Sequence, residues 1–270
     1  MNVLVSPRTM VRVLYWGVVA SLLLPLGLIA LMSLKDAAFI GFPIERLSPR
    51  WYGTVLVDRE MTDAFLFSCA VAATSALVAL LVGLWIALTI ANADQPLIRA
   101  VLLAGACLPL VTPGIVSAIA SRLFIASIGL DPGFVAIVFG HAVHSAPYVV
   151  LVVSLRLALM PDHLVEAAQN LGAGVVRAFS YVTLPWLAPA IGAAGLLALL
   201  ESFDDFVRSF FLGGYRPTLP VLIYGRLFSG LSPEIGAITT MVLVLTVAIG
   251  LGTEALVRKS RSSYHLSNNR

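Results

Sequence analysis

Three carboxylic acids stand close together at the end of a long apolar run, in the stretch Glu201-Ser202-Phe203-Asp204-Asp205-Phe206. An ionisable group at membrane depth is costly to bury and is therefore a functional candidate by default. On a helix, Asp204 and Asp205 point about 100° apart, so at most one or two of the acids can face a shared path. The alternatives are that these acids contact a partner outside the membrane, or that they cap the helix that follows.

Two arginines lie in or near the same apolar regions, Arg122 and Arg208. A positive charge hinders a path for cations unless a neighbouring acid neutralises it. A mixed lining of acids and bases would also suit an amino acid, an opine or an aminophosphonate. We expect the lining of a substrate path or outer gate to include Glu201, Phe203, Asp204, Asp205, Arg122 and Arg208.

Two histidines one helical turn apart, His141 and His144, could in principle bind a metal. The same apolar run contains no cysteine, aspartate or glutamate that would complete a ligand set. We interpret the pair as packing or polar contacts between helices and expect no metal site. Cys69 and Cys107 lie inside apolar runs, where cysteine is usually a small packing residue.

Membrane-spanning helices must position these groups. Of 270 residues, 59% are hydrophobic and 11% are charged, which is too little charge for the surface of a soluble domain. The net charge of +3 gives no reason to expect nucleic acid as a partner. The first apolar run has no small-residue cleavage site after it, so it is interpreted as a retained span rather than a signal peptide.

The sequence predicts an all-α polytopic membrane protein, one domain over residues 1–270, with about six transmembrane helices. Each run is long enough to cross the hydrocarbon core or nearly so. Pro109 and Pro113 predict a kink in the third span. The fifth span is the least clearly bounded, because it begins with prolines and ends on Glu201. The predicted spans are 13–34, 64–91, 98–127, 134–158, 185–203 and 235–257.

Lysine and arginine are slightly more numerous on the side that would carry both termini. The bias is clearest in the C-terminal tail, which carries Arg258, Lys259, Arg261 and Arg270, while the short loop at 92–97 has one acid. Cytoplasmic loops carry the excess of positive charge in membrane proteins. We therefore expect both termini in the cytoplasm.

The connection between the fourth and fifth spans, about residues 160–185, carries a distinct pattern. Pro161-Asp162 is a helix start signal, and Leu164, Ala168 and Leu171 would share one helical face. Gly172 offers a C-cap or a sharp turn. A helix this short is not stable alone, so it should be held by the membrane domain, by a partner or by both.

This segment resembles the cytoplasmic signature of permeases of binding-protein-dependent ABC importers, at every spacing. In that family the helix docks on an ATP-hydrolysing subunit, and the resemblance implies the same coupling role for residues 162–172. The matching residues are Glu166, Ala167, Ala168, Gly172, Val182, Leu184 and Pro185, with Leu171 inside the segment. The acidic stretch, together with Leu219-Pro220 and Ser232-Pro233-Glu234-Ile235, is similar to polyamine-type permeases, which implies an organic cation or amino compound as cargo.

The resemblance implies a bacterial inner-membrane subunit with no catalytic residues of its own. The chain has no Gly-x-x-x-x-Gly-Lys-Ser/Thr loop for holding ATP phosphates, so it is expected to bind no cofactor, with ATP and magnesium on a separate ATPase. The other expected partners are a second permease subunit, an extracytoplasmic substrate-binding protein and the lipid bilayer. A secondary transporter would show repeats and midplane ion sites, and an intramembrane enzyme would show a nucleophile with a base; neither pattern is visible.

Overall fold

The computed structural model describes residues 7–37, 41, 43–44, 46–161, 163–230 and 232–267. Over these residues it is built from helices, and the β-structure is one isolated bridge between Lys35 and Leu47. A π-helical turn at Phe179–Thr183 joins α8 to α9. The α-helices are α1 (Pro7–Ser33), α2 (Arg50–Val57), α3 (Arg59–Ala91), α4 (Pro96–Val111), α5 (Gly114–Ser127), α6 (Phe134–Ala158), α7 (His163–Asn170), α8 (Val175–Ala178), α9 (Leu184–Asp204), α10 (Phe206–Leu212), α11 (Leu219–Ser229) and α12 (Pro233–Ser267).

The predicted spans are confirmed as apolar helices long enough to cross a bilayer. Within the described residues, five helices meet that criterion singly, and α4 with α5 forms a bent pair that makes up to six. The predicted kink in the third span is a full break, with α4 and α5 at 104° to each other. Pro109 lacks an N–H donor, and Pro113 favours the extended backbone seen at Thr112, so the helix cannot continue through this point.

The chain divides into two compact units, residues 1–62 with 223–270, and residues 63–222. The prediction of a single domain over residues 1–270 is not decided by this division and stays a prediction. In the first unit α1 packs on α12. Gly236 allows that close approach, because a Cβ atom there would lie 3.2 Å from the Cβ of Ser33. The hydroxyl of Ser33 is in turn 2.7 Å from that of Tyr52 on α2.

One arginine in the first unit holds three acids. Arg226 on α11 lies 2.7 Å from Asp58, 2.7 Å from Glu60 and 3.2 Å from Glu234. Burial opposes ionisation of Asp58, but the hydrogen bond from Arg226 and two backbone N–H groups outweigh it and hold the pKa of Asp58 below its usual value. Asp58 therefore stays charged at neutral pH and joins the start of α3 to α11.

Removing the Arg226 charge is expected to destabilise this unit. In Arg226→Gln the carboxylates of Asp58, Glu60 and Glu234 lose their shared counter-ion, and we expect a loss of about 1–2 kcal/mol of stability. Arg50→Gln is the matched control, because among the described residues Arg50 makes one ion pair, with Asp36, and its side chain is 51% exposed. Thermal unfolding in detergent measures both variants; equal midpoints for the two would contradict the prediction.

The second unit is held by small residues on α3, α6 and α9. Their short side chains let the helices approach closely, which is how helices pack inside a membrane. Gly83 of α3 shows how close the approach is, since a Cβ atom there would lie 2.7 Å from the Cβ of Val149 on α6. The buried core includes Ala76, Ala79, Ala87, Ala142, Ala146, Val149, Val153, Leu187, Ala194 and Ala198.

Candidate coupling segment and path residues

The predicted coupling helix is present as α7, His163–Asn170. Its predicted start at Asp162 lies outside the described residues. Leu164, Val165 and Ala168 are partly buried, whereas Glu166 is exposed. Leu171, predicted to share a helical face with Leu164 and Ala168, directly follows the last helical residue and is 90% exposed. The chain turns there, so Leu171 belongs to the outer surface of the segment.

Gly172 ends α7 in a left-handed conformation, with φ at 87°. The Ala173 N–H donates to the Ala168 carbonyl at 3.0 Å, and the Gly172 N–H donates to the Gln169 carbonyl at 2.9 Å. These two bonds make a Schellman motif, in which glycine is preferred because its φ is positive. The prediction of a C-cap or sharp turn at Gly172 is therefore confirmed.

One continuous helical stretch leads from this turn to the acidic residues. It runs from Val175 through the π-helical turn and α9 to Asp204. Leu184 and Pro185 of the signature lie at the start of α9, directly after the π-helical turn. The segment that would meet an ATPase directly precedes this stretch, and the acids that would meet cargo lie at or near its far end.

The N-terminal end of α9 is bound to α6 by two hydrogen bonds between the same two residues. The indole N–H of Trp186 donates to the Arg156 carbonyl at 3.1 Å, and Arg156 Nε donates to the Trp186 carbonyl at 3.2 Å. The guanidinium also lies over the indole ring, 4.2 Å from its centroid. A cavity of about 720 Å³ lies beside this region, and Glu166 and Arg99 are among the residues that line it.

The structure separates the predicted path residues into two groups. Glu201 is partly buried and Asp204 is exposed, and among the described residues neither has a basic partner within ion-pair distance. The two acids are three residues apart on α9 and so share a face. Phe203 packs edge-on against Phe65 of α3, with ring centroids 5.9 Å apart. Arg122 is partly buried on α5 and makes no ion pair with the described residues.

Asp205 and Arg208 form the second group, and they bind each other. Arg208 Nη1 lies 2.7 Å from Asp205 Oδ2, with side chains only 6% and 8% exposed. Asp205 Oδ1 also accepts from the backbone N–H of Arg208 at 3.0 Å, so Asp205 caps α10. Of the alternatives drawn from the sequence, helix capping therefore applies to Asp205.

Three serines that sequence reasoning missed, Ser117, Ser202 and Ser209, complete a largely buried polar network around this pair and His141. Arg208 Nη2 donates to Ser117 Oγ of the broken span at 2.9 Å. His141 Nδ1 lies 2.7 Å from Ser202 Oγ, and its Nε2 lies 3.2 Å from Ser209 Oγ. The network joins α5, α6, α9 and α10, and its members are Ser117, His141, Ser202, Asp205, Arg208 and Ser209.

The interpretation of His141 as a polar contact between helices is confirmed by these bonds. His144, one turn further along α6, packs edge-on against Tyr148 with centroids 5.9 Å apart. The available signal for the network was the occurrence of His141, Ser202 and Ser209 within otherwise apolar runs. That signal shows which residues need a partner, but it does not show which partner each one has.

The fold and the coupling segment define a class of protein, the permeases of ABC importers. A profile of the family described as "Binding-protein-dependent transport system inner membrane component" matches residues 79–262, and the chain belongs to that family. It is a membrane-spanning permease subunit of an ABC importer, and the family consists of transport components. Membership of this family disfavours the secondary-transporter reading.

Two curated relatives are similar over most of the chain. The spermidine/putrescine transport system permease protein PotC of Escherichia coli K12 is 28% identical over 246 residues, covering 90% of this chain and 91% of the relative. The putrescine transport system permease protein PotI of the same strain is 32% identical over 218 residues, covering 75% of each.

A solved structure shows the same fold at lower sequence identity. It is a bacterial ABC transporter involved in the import of the acidic polysaccharide alginate, with a TM-score of 0.70 and 17% identity. The match covers 93% of this chain and 95% of that chain. This similarity supports the architecture of a multi-pass membrane protein.

Proposed function

We propose that this chain forms half of the translocation path of a bacterial inner-membrane importer for small polyamines, with both termini in the cytoplasm. ATP and magnesium would bind a separate ATPase that contacts the segment at 162–172. A second permease subunit would complete the path, and an extracytoplasmic binding protein would deliver the cargo. None of the residues in the most apolar part of α1 is buried. This apolar surface is suited to contact with lipid or with the second subunit.

The observation that carries the proposal is the pair Glu201 and Asp204, which has no basic partner among the described residues and ends the helix that starts at the coupling turn. A carboxylate in a low-dielectric setting favours a cation strongly. Two carboxylates on one helical face suit a cargo with more than one ammonium group. The similarity to PotC of a spermidine/putrescine transport system and to PotI of a putrescine transport system supports the same cargo class.

The proposed coupling uses the continuity of the helical stretch that begins at Val175. A displacement of α7 by the ATPase would pass through the turn at Gly172 to this stretch and then along its axis to Asp204. The two hydrogen bonds between Arg156 and Trp186 would make the N-terminal end of α9 move together with α6. Glu201 and Asp204 would then be accessible alternately from the outer and from the inner side of the membrane.

Uptake by the reconstituted transporter tests the proposal. The chain is assembled in proteoliposomes with its cognate ATPase, second permease and binding protein, and labelled putrescine or spermidine is supplied outside. We expect ATP-dependent accumulation of at least one polyamine, reduced by an excess of the other. Uptake of an amino acid, an opine or an aminophosphonate with none of either polyamine would overturn the cargo assignment and leave the permease class intact.

A further inference from the structure

The acidic stretch of this permease does not act as one group of charges. Of its three carboxylates, Asp205 lies against Arg208, while Glu201 and Asp204 have no basic partner among the described residues. We propose that Asp205 is the internal counter-ion of Arg208 and not a contact for cargo. By neutralising Arg208 it leaves the charges of Glu201 and Asp204 available to a cation, which makes Arg208 a specificity-determining position. This inference rests on the proposed cationic cargo.

The geometry of Asp205 carries the first half of the argument. Both of its carboxylate oxygens are directed at Arg208, one to the backbone N–H and one to the guanidinium. Its backbone is extended, with φ at −72° and ψ at 92°, at the break between α9 and α10. Asp204 instead ends α9 with its side chain accessible. Neighbouring acids are therefore directed to different environments by one break in the helix.

The burial of Arg208 carries the second half. A guanidinium cannot lose its charge in a protein, and with a side chain 6% exposed it has little water to stabilise it. The Ser117 hydroxyl satisfies one further N–H group but supplies no charge. Asp205 is thus the group that balances Arg208, since the other charged neighbour in the network would be His141 in a protonated form, which would add to the positive charge.

Arg208 is bound to the part of the chain that carries the two partnerless acids. Asp205, whose carboxylate lies 2.7 Å from Arg208 Nη1, directly follows Asp204, so the Cα atoms of the two aspartates are about 3.8 Å apart. If Asp205 loses its charge, the positive charge of Arg208 acts on the same space as Glu201 and Asp204. It would offset their attraction for an ammonium group and raise the KM for a polyamine.

A double-substitution series in the complete transporter separates a counter-ion from a cargo contact. The variants are Asp205→Asn, Arg208→Gln and the pair together, with KM for spermidine and putrescine uptake measured in proteoliposomes. We expect Asp205→Asn to raise KM at least about tenfold, as one unscreened charge near the cargo would. We expect Arg208→Gln to lower KM, because the negative charge of Asp205 is then no longer balanced, and the pair to return KM to within about threefold of the parent.

The opposite result has a clear form. If Asp205 binds cargo directly, Asp205→Asn and the pair will raise KM equally, and the counter-ion assignment is wrong. The matched control is Asp36→Asn, the same chemical change at an ion pair whose side chains are 29% and 51% exposed, and its KM should equal that of the parent.

Thermal unfolding of the purified complex gives a readout that does not depend on the cargo. We expect Asp205→Asn to lower the midpoint and the added Arg208→Gln to recover most of the loss, because breaking a buried pair costs more than replacing both partners. If the parent transporter takes up no polyamine but the unfolding midpoints follow this order, the cargo assignment is wrong and the counter-ion assignment stands. Equal midpoints for the single and double variants would overturn the counter-ion assignment.

Discussion

Replacing Gly172 by valine is expected to abolish ATP-driven uptake while leaving the transmembrane helices folded. The residue has φ at 87°, which costs an L side chain about 1–2 kcal/mol and more for a β-branched one. An eight-residue helix has little stability of its own. Loss of the two capping bonds from Gly172 and Ala173 should therefore unravel the end of α7 next to Leu171, an exposed residue of the proposed ATPase contact.

The measurement is co-purification with the ATPase in mild detergent, together with uptake in proteoliposomes. We expect at least about tenfold less ATPase bound per permease, since a loss of 1.4 kcal/mol is a factor of ten in an equilibrium constant. Gly174→Ala is a close control two residues away, because Gly174 has an ordinary φ of −67° and open space around its Cβ position. Full uptake in Gly172→Val would remove the turn from the coupling mechanism.

Charge reversal at Glu166 tests the same proposed ATPase contact by changing a side chain instead of the backbone turn. Glu166 is exposed on α7, so Glu166→Arg does not disturb the packing of Leu164 or Ala168. We expect a transporter that either loses its ATPase or hydrolyses ATP without moving cargo. Either outcome differs from that of a destabilised permease, whose midpoint of thermal unfolding would fall as well.

Asp204→Asn is expected to reduce polyamine uptake by at least about tenfold with assembly unaffected. A hydrogen bond or ion pair to a charged group contributes roughly 1.5–3 kcal/mol, which corresponds to about ten- to hundredfold in affinity. Asp204 is exposed, has no ion pair within the described residues, and lies at the end of α9, so its neutralisation breaks no structural contact. The loss should therefore appear in transport and not in stability.

A control variant and a double variant distinguish a cargo contact at Asp204 from a general effect of losing a negative charge. Asp131→Asn makes the same chemical change at another exposed acid of the same compact unit, and we expect it to retain the uptake of the parent. The pair Asp204→Asn with Arg208→Gln should be no better than Asp204→Asn alone, in contrast to the recovery expected at Asp205. Unchanged uptake in Asp204→Asn would remove Asp204 from the path.

Much of the architecture follows from local pattern. Apolar runs long enough for a bilayer identify the spans, because only helices satisfy their backbone groups without water. The third span breaks where Pro113 favours an extended residue before it, and that restriction is local to the chain. Gly172 could likewise be assigned to a turn, because a positive φ is a property of one residue and its neighbours.

The face of α7 shows where pattern reasoning stops being sufficient. The spacing of Leu164, Ala168 and Leu171 is correct for one helical face, but α7 ends at Asn170 and the chain turns at Gly172. Leu171 is therefore outside the helix that the spacing assumes. Periodicity describes an ideal helix of unlimited length, and the Schellman turn decides where the real one ends.

The sequence by itself determined the helical spans and the short helix at α7, because both depend on composition or on spacing within a few turns, and its resemblance to the permease signature indicated the class of protein. Only the tertiary structure decided how the charges are shared. Asp204 and Asp205 are adjacent and chemically identical, yet Asp205 binds Arg208 and Asp204 does not. The bond from Arg208 to Ser117 spans 91 positions, and those from His141 to Ser202 and Ser209 span 61 and 68. Contacts at such separations depend on which helices pack together, and no local pattern in the chain encodes that choice.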